Sequence, residues 1–268
     1  MARAETPPRE PKPLPFAPTR PHEYWCLDIR YIDHRLGDGK VYCLAVMDGY
    51  SRAILTSMLS RSQDLVPVLL VLYAAMRAHG VPEALVTDSG GVFLANHLRR
   101  IYEILAIRKE EIARRQPWQN LLEANFGTQM RMADYGFANA TTWEELLRVH
   151  EQWVEDCNTQ AHWAHQRRAD GRRSPKDMLD GATGRPIEEG TLHRVFYTVR
   201  FGRLLGPGGY ARFRHWKVYG ARGLAGRAVG LWLYGPQLTL EYREEPLAQY
   251  RVVYVPGKRR FKAVSLHL

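Results

Sequence analysis

The chain has 268 residues, of which 45% are hydrophobic and 25% are charged, and its formal net charge is +10. This composition is typical of a globular protein with one large or two medium domains, and it excludes a disordered or fibrous chain. No apolar stretch approaches the roughly 20 residues that a membrane helix needs, and the N-terminus lacks the apolar core of a signal peptide. The sequence therefore predicts a cytoplasmic protein without a membrane segment.

The excess positive charge is confined to the last third of the chain. Residues 182–268 contain 15 Lys and Arg, 5 Glu and no Asp, whereas residues 1–181 contain 23 basic and 23 acidic side chains. Charge that is segregated in this way is typical of a surface that binds a polyanion. At the other end, residues 1–22 contain seven prolines, which predict a stiff linker or tail rather than a helix or strand. Such a linker usually joins two parts of a protein, so one interpretation is that an N-terminal DNA-binding domain has been lost. The alternative is an ordinary disordered tail.

A first candidate acid, Asp28, lies inside the first predicted element. Three strands are expected over Tyr24–Asp33, Val41–Met47 and Arg52–Leu59, because these runs are rich in aromatic and β-branched residues. A carboxylate in the middle of such a strand needs a partner, since burying it unpaired is costly, and a divalent metal ion is one such partner. Asp48 stands in an Asp-Gly sequence and is expected to shape a hairpin turn instead.

A second candidate acid, Asp88, follows a predicted helix and a short strand. Ser62 is expected to cap a helix over Asp64–His79. The apolar run Ala84–Thr87 then predicts a strand that stops at a Ser-Gly-Gly turn. Asp88 is therefore expected at the carboxyl-terminal tip of that strand.

A third candidate acid, Glu123, comes 35 positions after Asp88 and close to the start of a predicted helix. A helix over Leu94–Leu105 and a short strand over Ile107–Ile112 are expected before it. Apolar residues recur at helical spacing around Glu123, at Leu122, Phe126, Met130 and Ala133. Glu123 is thus expected at the edge of the buried helix face, where it can point toward a strand tip.

A basic and aromatic loop lies immediately before Glu123. Arg114 and Arg115 are candidates for binding phosphate groups, and Trp118 is a candidate for stacking on a base. A solvated loop with a packed Trp is an equally good interpretation of the same residues.

In this order the motifs resemble the catalytic core of the DDE integrase and transposase superfamily. That group includes retroviral integrases, bacterial insertion-sequence transposases and phage Mu transposase. The resemblance covers residues 23–179 and rests on Trp25-x-x-Asp28, Asp48-Gly49-Tyr50-Ser51-Arg52, Thr87-Asp88-Ser89-Gly90, Pro117-x-x-Asn120-x-x-Glu123 and Asn158-x-x-x-His162 before Arg173-Ser174-Pro175. One such motif alone is weak evidence, whereas five in the same order as in the family are specific.

The resemblance implies an α/β fold, with an RNase H-like mixed sheet over residues 23–181 as the catalytic core. It implies that Asp28, Asp88 and Glu123 hold two Mg²⁺ ions, for which Mn²⁺ substitutes, and that they catalyse metal-dependent cleavage of DNA 3′ ends and strand transfer. The implied partners are double-stranded DNA, as element ends and target, and further copies of the chain, at the nucleoid of a bacterium. Asn120 is expected to support the site by hydrogen bonding or to contact DNA. Arg131 is the candidate for a basic residue that the family places two helical turns past the Glu.

The last third of the chain is predicted to be a small all-β barrel, similar in place and size to the SH3-like closing barrel of integrases. A boundary is marked by Gly181, Gly184 and Pro186. Short strands are expected over Val195–Phe201, Tyr210–Arg214, Ala228–Tyr234, Leu238–Tyr242, Tyr250–Tyr254 and Phe261–Val264. Basic and aromatic residues are interleaved there, and the predicted DNA contacts are Arg212, Arg214, Lys217, Lys258, Arg259 and Arg260.

Two other functions stay open on the sequence. The chain could be an RNase H-like nuclease that only hydrolyses, or a truncated transposase relic or regulator that binds DNA without cutting it. The three cysteines form no Cys-x-x-Cys pair and are expected to be buried thiols. Structural roles are also expected for His150, His162 and His165, rather than a transition-metal site.

Overall fold

A computed structural model describes residues 16–37, 39–112, 116, 119–255 and 260–266, with the backbone alone at residues 260 and 261. Most of the predicted Pro-rich segment, residues 1–15, therefore lies outside the described residues. The chain divides into two units between Glu189 and Gly190, slightly beyond the boundary predicted after residue 181. In the described part of the chain, no helix is long and apolar enough to cross a membrane.

The first unit is built on a mixed five-stranded sheet. Its strands are β1 (Tyr24–Ile32), β2 (Val41–Asp48), β3 (Ile54–Ser60), β4 (Ala84–Thr87) and β5 (Arg108–Glu111). They lie in the order β3-β2-β1-β4-β5. β1, β2 and β3 pair antiparallel, whereas β4 pairs parallel with both β1 and β5. This arrangement confirms the predicted RNase H-like mixed sheet.

Five helices accompany this sheet. They are α1 (Leu65–His79), α2 (Asn96–Ile104), α3 (Leu121–Asn139), α4 (Trp143–Thr159) and α5 (Pro175–Leu179). α3 and α4 share one core with β1, β2 and β3, which includes Cys26, Cys43, Phe126 and Trp153. Because α3 packs on the sheet here, the face of β1 that carries Cys26 also carries Asp28 beneath the helix.

Two local predictions for these helices are wrong. The N-cap of α1 is Asp64 and not Ser62. Ser62 Oγ instead accepts a hydrogen bond from Asp64 N at 2.9 Å, within the loop before the helix. On α3, Met130 is 52% exposed, and the buried position next to it belongs to Gln129. The helix therefore buries an amide at a place where an apolar stripe was expected.

The cysteines are free, as expected, but only two of them are fully buried. Cys26 and Cys43 are buried, whereas Cys157 is partly exposed. Burial raises the pKa of the Cys26 thiol to about 12. His165 Nε2 lies 2.8 Å from the Ser51 carbonyl oxygen, and His162 Nδ1 accepts from Ala164 N at 3.2 Å. These ring nitrogens hold loops in place.

The second unit is mainly an antiparallel sheet and a hairpin. Its elements are α6 (Glu189–Tyr197), β6 (Val199–Leu204), β7 (Tyr210–Phe213), β8 (Trp216–Tyr219), β9 (Ala228–Tyr234), β10 (Gln237–Tyr242), β11 (Glu245–Val255) and β12 (Arg260–Leu266). The sheet order is β12-β11-β10-β9-β6, and β7 pairs with β8. Phe213 and Val218 of the hairpin join Leu231 and Leu240 of the sheet in one core. This all-β region is the one that was predicted.

The prediction of a strand over Val195–Phe201 is wrong in its first half. Residues up to Tyr197 belong to α6, and the strand begins at Val199. The helix forms because Leu192, Val195 and Phe196 are spaced by three and four residues and are all buried.

Candidate active site

Asp28 lies in β1, and Asp88 directly follows β4, the parallel strand next to it. The register of β1 and β4 pairs Cys26 with Val86, and each acid comes two residues after its member of this pair. Adjacent strands are about 4.8 Å apart. Because β4 ends at Thr87, Asp88 leaves the sheet at the carboxyl edge of its strand, where sites in open α/β sheets gather.

Each of these carboxylates is held by a neighbouring backbone N–H. Asp28 Oδ1 accepts from Ile29 N at 2.8 Å, and Asp88 Oδ1 accepts from Gly90 N at 2.9 Å. A Cβ at Gly90 would lie 2.9 Å from Asp88 Oδ1, so a larger residue there would push against the carboxylate. The Asp-Ser-Gly turn therefore orients Asp88 through its glycine.

Glu123 is placed by the cap of α3. Asn120 Oδ1 accepts from Leu122 N at 3.1 Å, while Asn120 Nδ2 donates to the Leu27 carbonyl at 3.4 Å. This amide is only 2% exposed, and both of its ends bond within the protein. It ties the start of α3 to the residue before Asp28, and the exposed Glu123 stands in the first helical turn above that link.

The charges of Asp88 and Glu123 act on the carboxyl group of Asp28. Burial raises the pKa of Asp28 to about 7, the hydrogen bond from Ile29 N opposes this, and the negative charges of Asp88 and Glu123 raise it further. Three carboxylates are a donor set whose chemistry suits a hard divalent cation such as Mg²⁺. However, no three His, Cys, Asp or Glu side chains among the described residues are close enough together to hold a metal ion.

Lys109 brings a positive charge to this end of the sheet, which the sequence did not predict. Its Nζ donates to Thr87 Oγ1 and, at 3.3 Å, to the Glu110 carbonyl. Burial lowers the pKa of Lys109, whereas the charges of Glu111 and Asp88 raise it. In the sequence, Lys109 lies in a charged segment that is typical of a solvent-exposed strand. Its position near the acids becomes evident only from the pairing of β5 with β4.

An ion pair gives a second link between β1 and α3. Arg30, on the same strand face as Asp28, donates to Gln129 Oε1 at 2.7 Å and to Asp134 Oδ1 at 2.6 Å. The Arg30 side chain is 14% exposed, so this link is largely shielded from solvent. It fixes the helix that carries Glu123 over the strand that carries Asp28.

Replacing Arg30 with Met is expected to lower the free energy of unfolding by about 2 kcal/mol, because Asp134 and the buried Gln129 lose their donor. Urea unfolding followed by circular dichroism measures this change. The control is Arg77→Met, which removes an ion pair with Glu189 in which both side chains are about 60% exposed; a loss under about 1 kcal/mol is expected there. Equal losses in the two variants would contradict the shielded link.

The residues predicted to contact DNA have different placements. Arg131 is exposed on α3 and donates to Thr128 Oγ1 at 3.0 Å. Arg212 and Lys217 are exposed cross-strand partners on the β7–β8 hairpin, and Arg214 lies in its turn with φ 56°. The described residues do not include Arg114, Arg115, Trp118, Lys258 and Arg259, nor the side chain of Arg260.

Residues 18–117 match the family model of the integrase core domain. The chain is similar to the simian T-cell lymphotropic virus intasome in complex with PP2A regulatory subunit B56 gamma, with TM-score 0.53 and 14% identity over 98% of this chain and 85% of that chain. It also matches the HTLV-2 integrase catalytic core domain in complex with magnesium, in dimeric form, with TM-score 0.46 and 12% identity over 59% of this chain and 96% of that chain. No curated protein sequence matches it. The family match is confined to residues 18–117, and the similarity to the intasome, at 14% identity, shows a shared fold.

Proposed function

We propose that the chain is a transposase or integrase that cleaves DNA 3′ ends and joins them to a second DNA, with Asp28, Asp88 and Glu123 as its catalytic acids. The main support is their convergence. Asp28 lies in β1, Asp88 directly follows the neighbouring strand β4, Glu123 lies in the first turn of α3, and the charges of Asp88 and Glu123 both act on Asp28. A shielded carboxylate with a raised pKa next to like charges is typical of a functional site.

The three acids would hold two Mg²⁺ ions, or Mn²⁺ in their place. The chemistry that such ions would supply at these acids is activation of the attacking oxygen and neutralisation of the charge on the leaving oxygen. To bind them Asp28 must lose its proton, while Asn120 and Arg30 keep α3 in position over β1.

The proposed reaction has two stages at phosphorus. In cleavage, a water oxygen bonds to phosphorus, the bond to the leaving 3′ oxygen breaks, and that oxygen takes up a proton. In strand transfer the released DNA 3′-hydroxyl attacks in place of water, and one phosphodiester replaces another. No covalent link between protein and DNA is needed.

Double-stranded DNA, as element ends and target, is the proposed partner. Arg212, Arg214 and Lys217 on the β7–β8 hairpin are suited to contact phosphates, which gives affinity without sequence preference. Since joining requires two ends to be held together, we expect several copies of the chain to assemble on DNA. The proposed setting is the nucleoid in a bacterial cytoplasm.

The proposal is tested by Glu123→Gln on a branched DNA that mimics the product of strand transfer, with Mg²⁺ or Mn²⁺. Joining is expected to disappear, because the amide keeps the shape of Glu123 but loses the charge that holds a cation. Duplex binding, followed by fluorescence anisotropy, is expected to be unchanged. The matched control is Glu144→Gln, an exposed Glu in the first turn of α4. Joining by Glu123→Gln at the level of the unchanged chain would refute the proposal that Glu123 is a catalytic acid.

A further inference from the structure

The outward face of the five-stranded sheet in the second unit is aromatic and polar. The strand register pairs Arg200 with Trp232, and Trp232 with Thr239, so these three side chains leave the sheet on one side. Leu231 and Leu240 are the direct neighbours of Trp232 and Thr239 along their strands, so they point to the opposite side of the sheet, where they belong to the core. Trp232 is half-buried and Arg200 is exposed, so this face offers an aromatic ring and a cation together.

Two neighbouring cavities open on this face. The first has a volume of about 350 Å³, and its lining includes Arg194, Trp232, Tyr234, Gln237, Thr239 and Glu241. The second has a volume of about 430 Å³ and is lined by Pro236, Gln237, Gln249 and Arg251. Gln237 lines both, and we call the two neighbouring cavities together the track. Each volume is at the lower end of the roughly 300–1,000 Å³ of small-ligand pockets, which suits one nucleotide and not a duplex.

The aromatic rings in the first cavity are held in place by their neighbours. The Arg200 guanidinium lies 5.3 Å from the centre of the Trp232 ring. A Cβ at Gly230 would lie 2.9 Å from Trp232 Nε1, so glycine leaves the room in which the indole lies close to the sheet. Tyr234 Oη lies 2.9 Å from His193 Nδ1. Fixed rings of this kind make a stacking surface that loses little entropy on binding.

Polar groups around the rings fit the edges and phosphates of nucleotides. Arg194 lies in the first cavity and Arg251 in the second, so each part of the track has a cation for a phosphate. Glu241 follows a β-bulge after Leu240, and such bulges re-aim side chains. Its carboxylate accepts from an exocyclic amino group such as that of cytosine, which thymine lacks.

We propose that this track binds unpaired nucleotides of a DNA strand, with a base stacked on Trp232 and phosphates near Arg194 and Arg251. This rests on the proposed function in taking DNA as the substrate. An unpaired strand fits because a base can reach an aromatic ring only when it is out of the duplex stack. The track is separate from the cations of the β7–β8 hairpin, which are proposed to contact duplex phosphates.

The test is fluorescence anisotropy of the whole chain, without divalent ions, on labelled oligo-dC, oligo-dT and a duplex at one salt concentration. Trp232→Ala is expected to weaken binding of the single strands by about 5- to 100-fold and duplex binding by less than about twofold. Trp232→Phe keeps an aromatic ring, so its affinity for single strands should lie between those of Trp232→Ala and the unchanged chain. Glu241→Gln should remove a preference for oligo-dC over oligo-dT. Trp163→Ala removes a ring that is 68% exposed in the first unit and serves as the control.

Equal weakening of single strands and duplex by Trp232→Ala would overturn the track, as would a failure of the unchanged chain to bind single strands. The same loss with Trp163→Ala would overturn it too. None of these results bears on the three acids, because joining is measured separately with Glu123→Gln. Conversely, a chain that binds single strands through Trp232 but never joins DNA would keep the track and refute the catalytic proposal.

Discussion

Replacing Asp88 with Asn is expected to lower metal-dependent DNA joining on the order of 1,000-fold, because the amide removes one of the charges that hold the cations. Duplex binding is expected to change by less than about twofold, since the cations proposed to contact phosphates lie on the β7–β8 hairpin. The shape of the turn should survive, because Asn Oδ1 can still accept from Gly90 N as Asp88 Oδ1 does.

Asp88→Cys gives this prediction a second readout. A thiolate is a softer ligand than a carboxylate, so this variant should be inactive with Mg²⁺ and recover part of its joining with Mn²⁺. The control is Asp180→Asn, at an exposed position with φ 47° that Asn tolerates. Mn²⁺ rescue that is no greater in Asp88→Cys than in Asp88→Asn would argue against direct contact between residue 88 and the metal ion.

Asp28→Asn is expected to make the metal-free protein more stable at pH 8 by up to about 4 kcal/mol, because the pKa of Asp28 is raised to about 7 in the folded chain. Between about pH 4 and pH 7 the folded chain holds a proton that the unfolded chain has lost. Unfolding then releases a proton, so the free energy of unfolding falls as the pH rises through this window. Asn resembles the protonated acid but does not titrate, so in Asp28→Asn this decrease of the free energy of unfolding with pH is absent.

Urea unfolding in the presence of a chelator, at several values between pH 4 and pH 8, tests this sign. The stability difference between Asp28→Asn and the unchanged chain should be small near pH 4, grow up to about pH 7 and then level off. Comparing the two proteins cancels the titration of the histidines. Added Mg²⁺ should stabilise the unchanged chain at pH 8 and have little effect on Asp28→Asn. A difference that is constant with pH would contradict the buried and repelled state of Asp28.

The elements that carry the acids could be predicted because their signals are local. The aromatic and β-branched run around Asp28 and the apolar run that stops at Asp88 both form strands. The start of α3 could be placed near Asn120, whose side chain caps it. The pairing of β1 with β4, which brings Asp28 and Asp88 to the same part of the sheet, is parallel and joins segments some 60 residues apart, so no local pattern encodes it.

The features that escaped prediction depend on distant contacts. The partners of Arg30 are 99 and 104 residues away, so in the sequence it looks like an ordinary polar residue of a strand. Lys109 reaches Thr87, the residue before Asp88, only because β5 pairs with β4. The first residues of the predicted strand Val195–Phe201 have a high β propensity, yet packing of Val195 and Phe196 on one side makes them helical. Tertiary packing overrode local preference there.

The most direct measurement is to identify the product that the unchanged chain makes from a branched DNA in Mg²⁺, with the two strands carrying different labels. Our account predicts a new phosphodiester bond that joins a 3′ end to the second strand, so that both labels migrate together on a denaturing gel. Shortened strands without joining would show a hydrolytic nuclease instead. Tight, salt-sensitive DNA binding with no product in either Mg²⁺ or Mn²⁺ would contradict catalysis and leave a DNA-binding relic of a transposase.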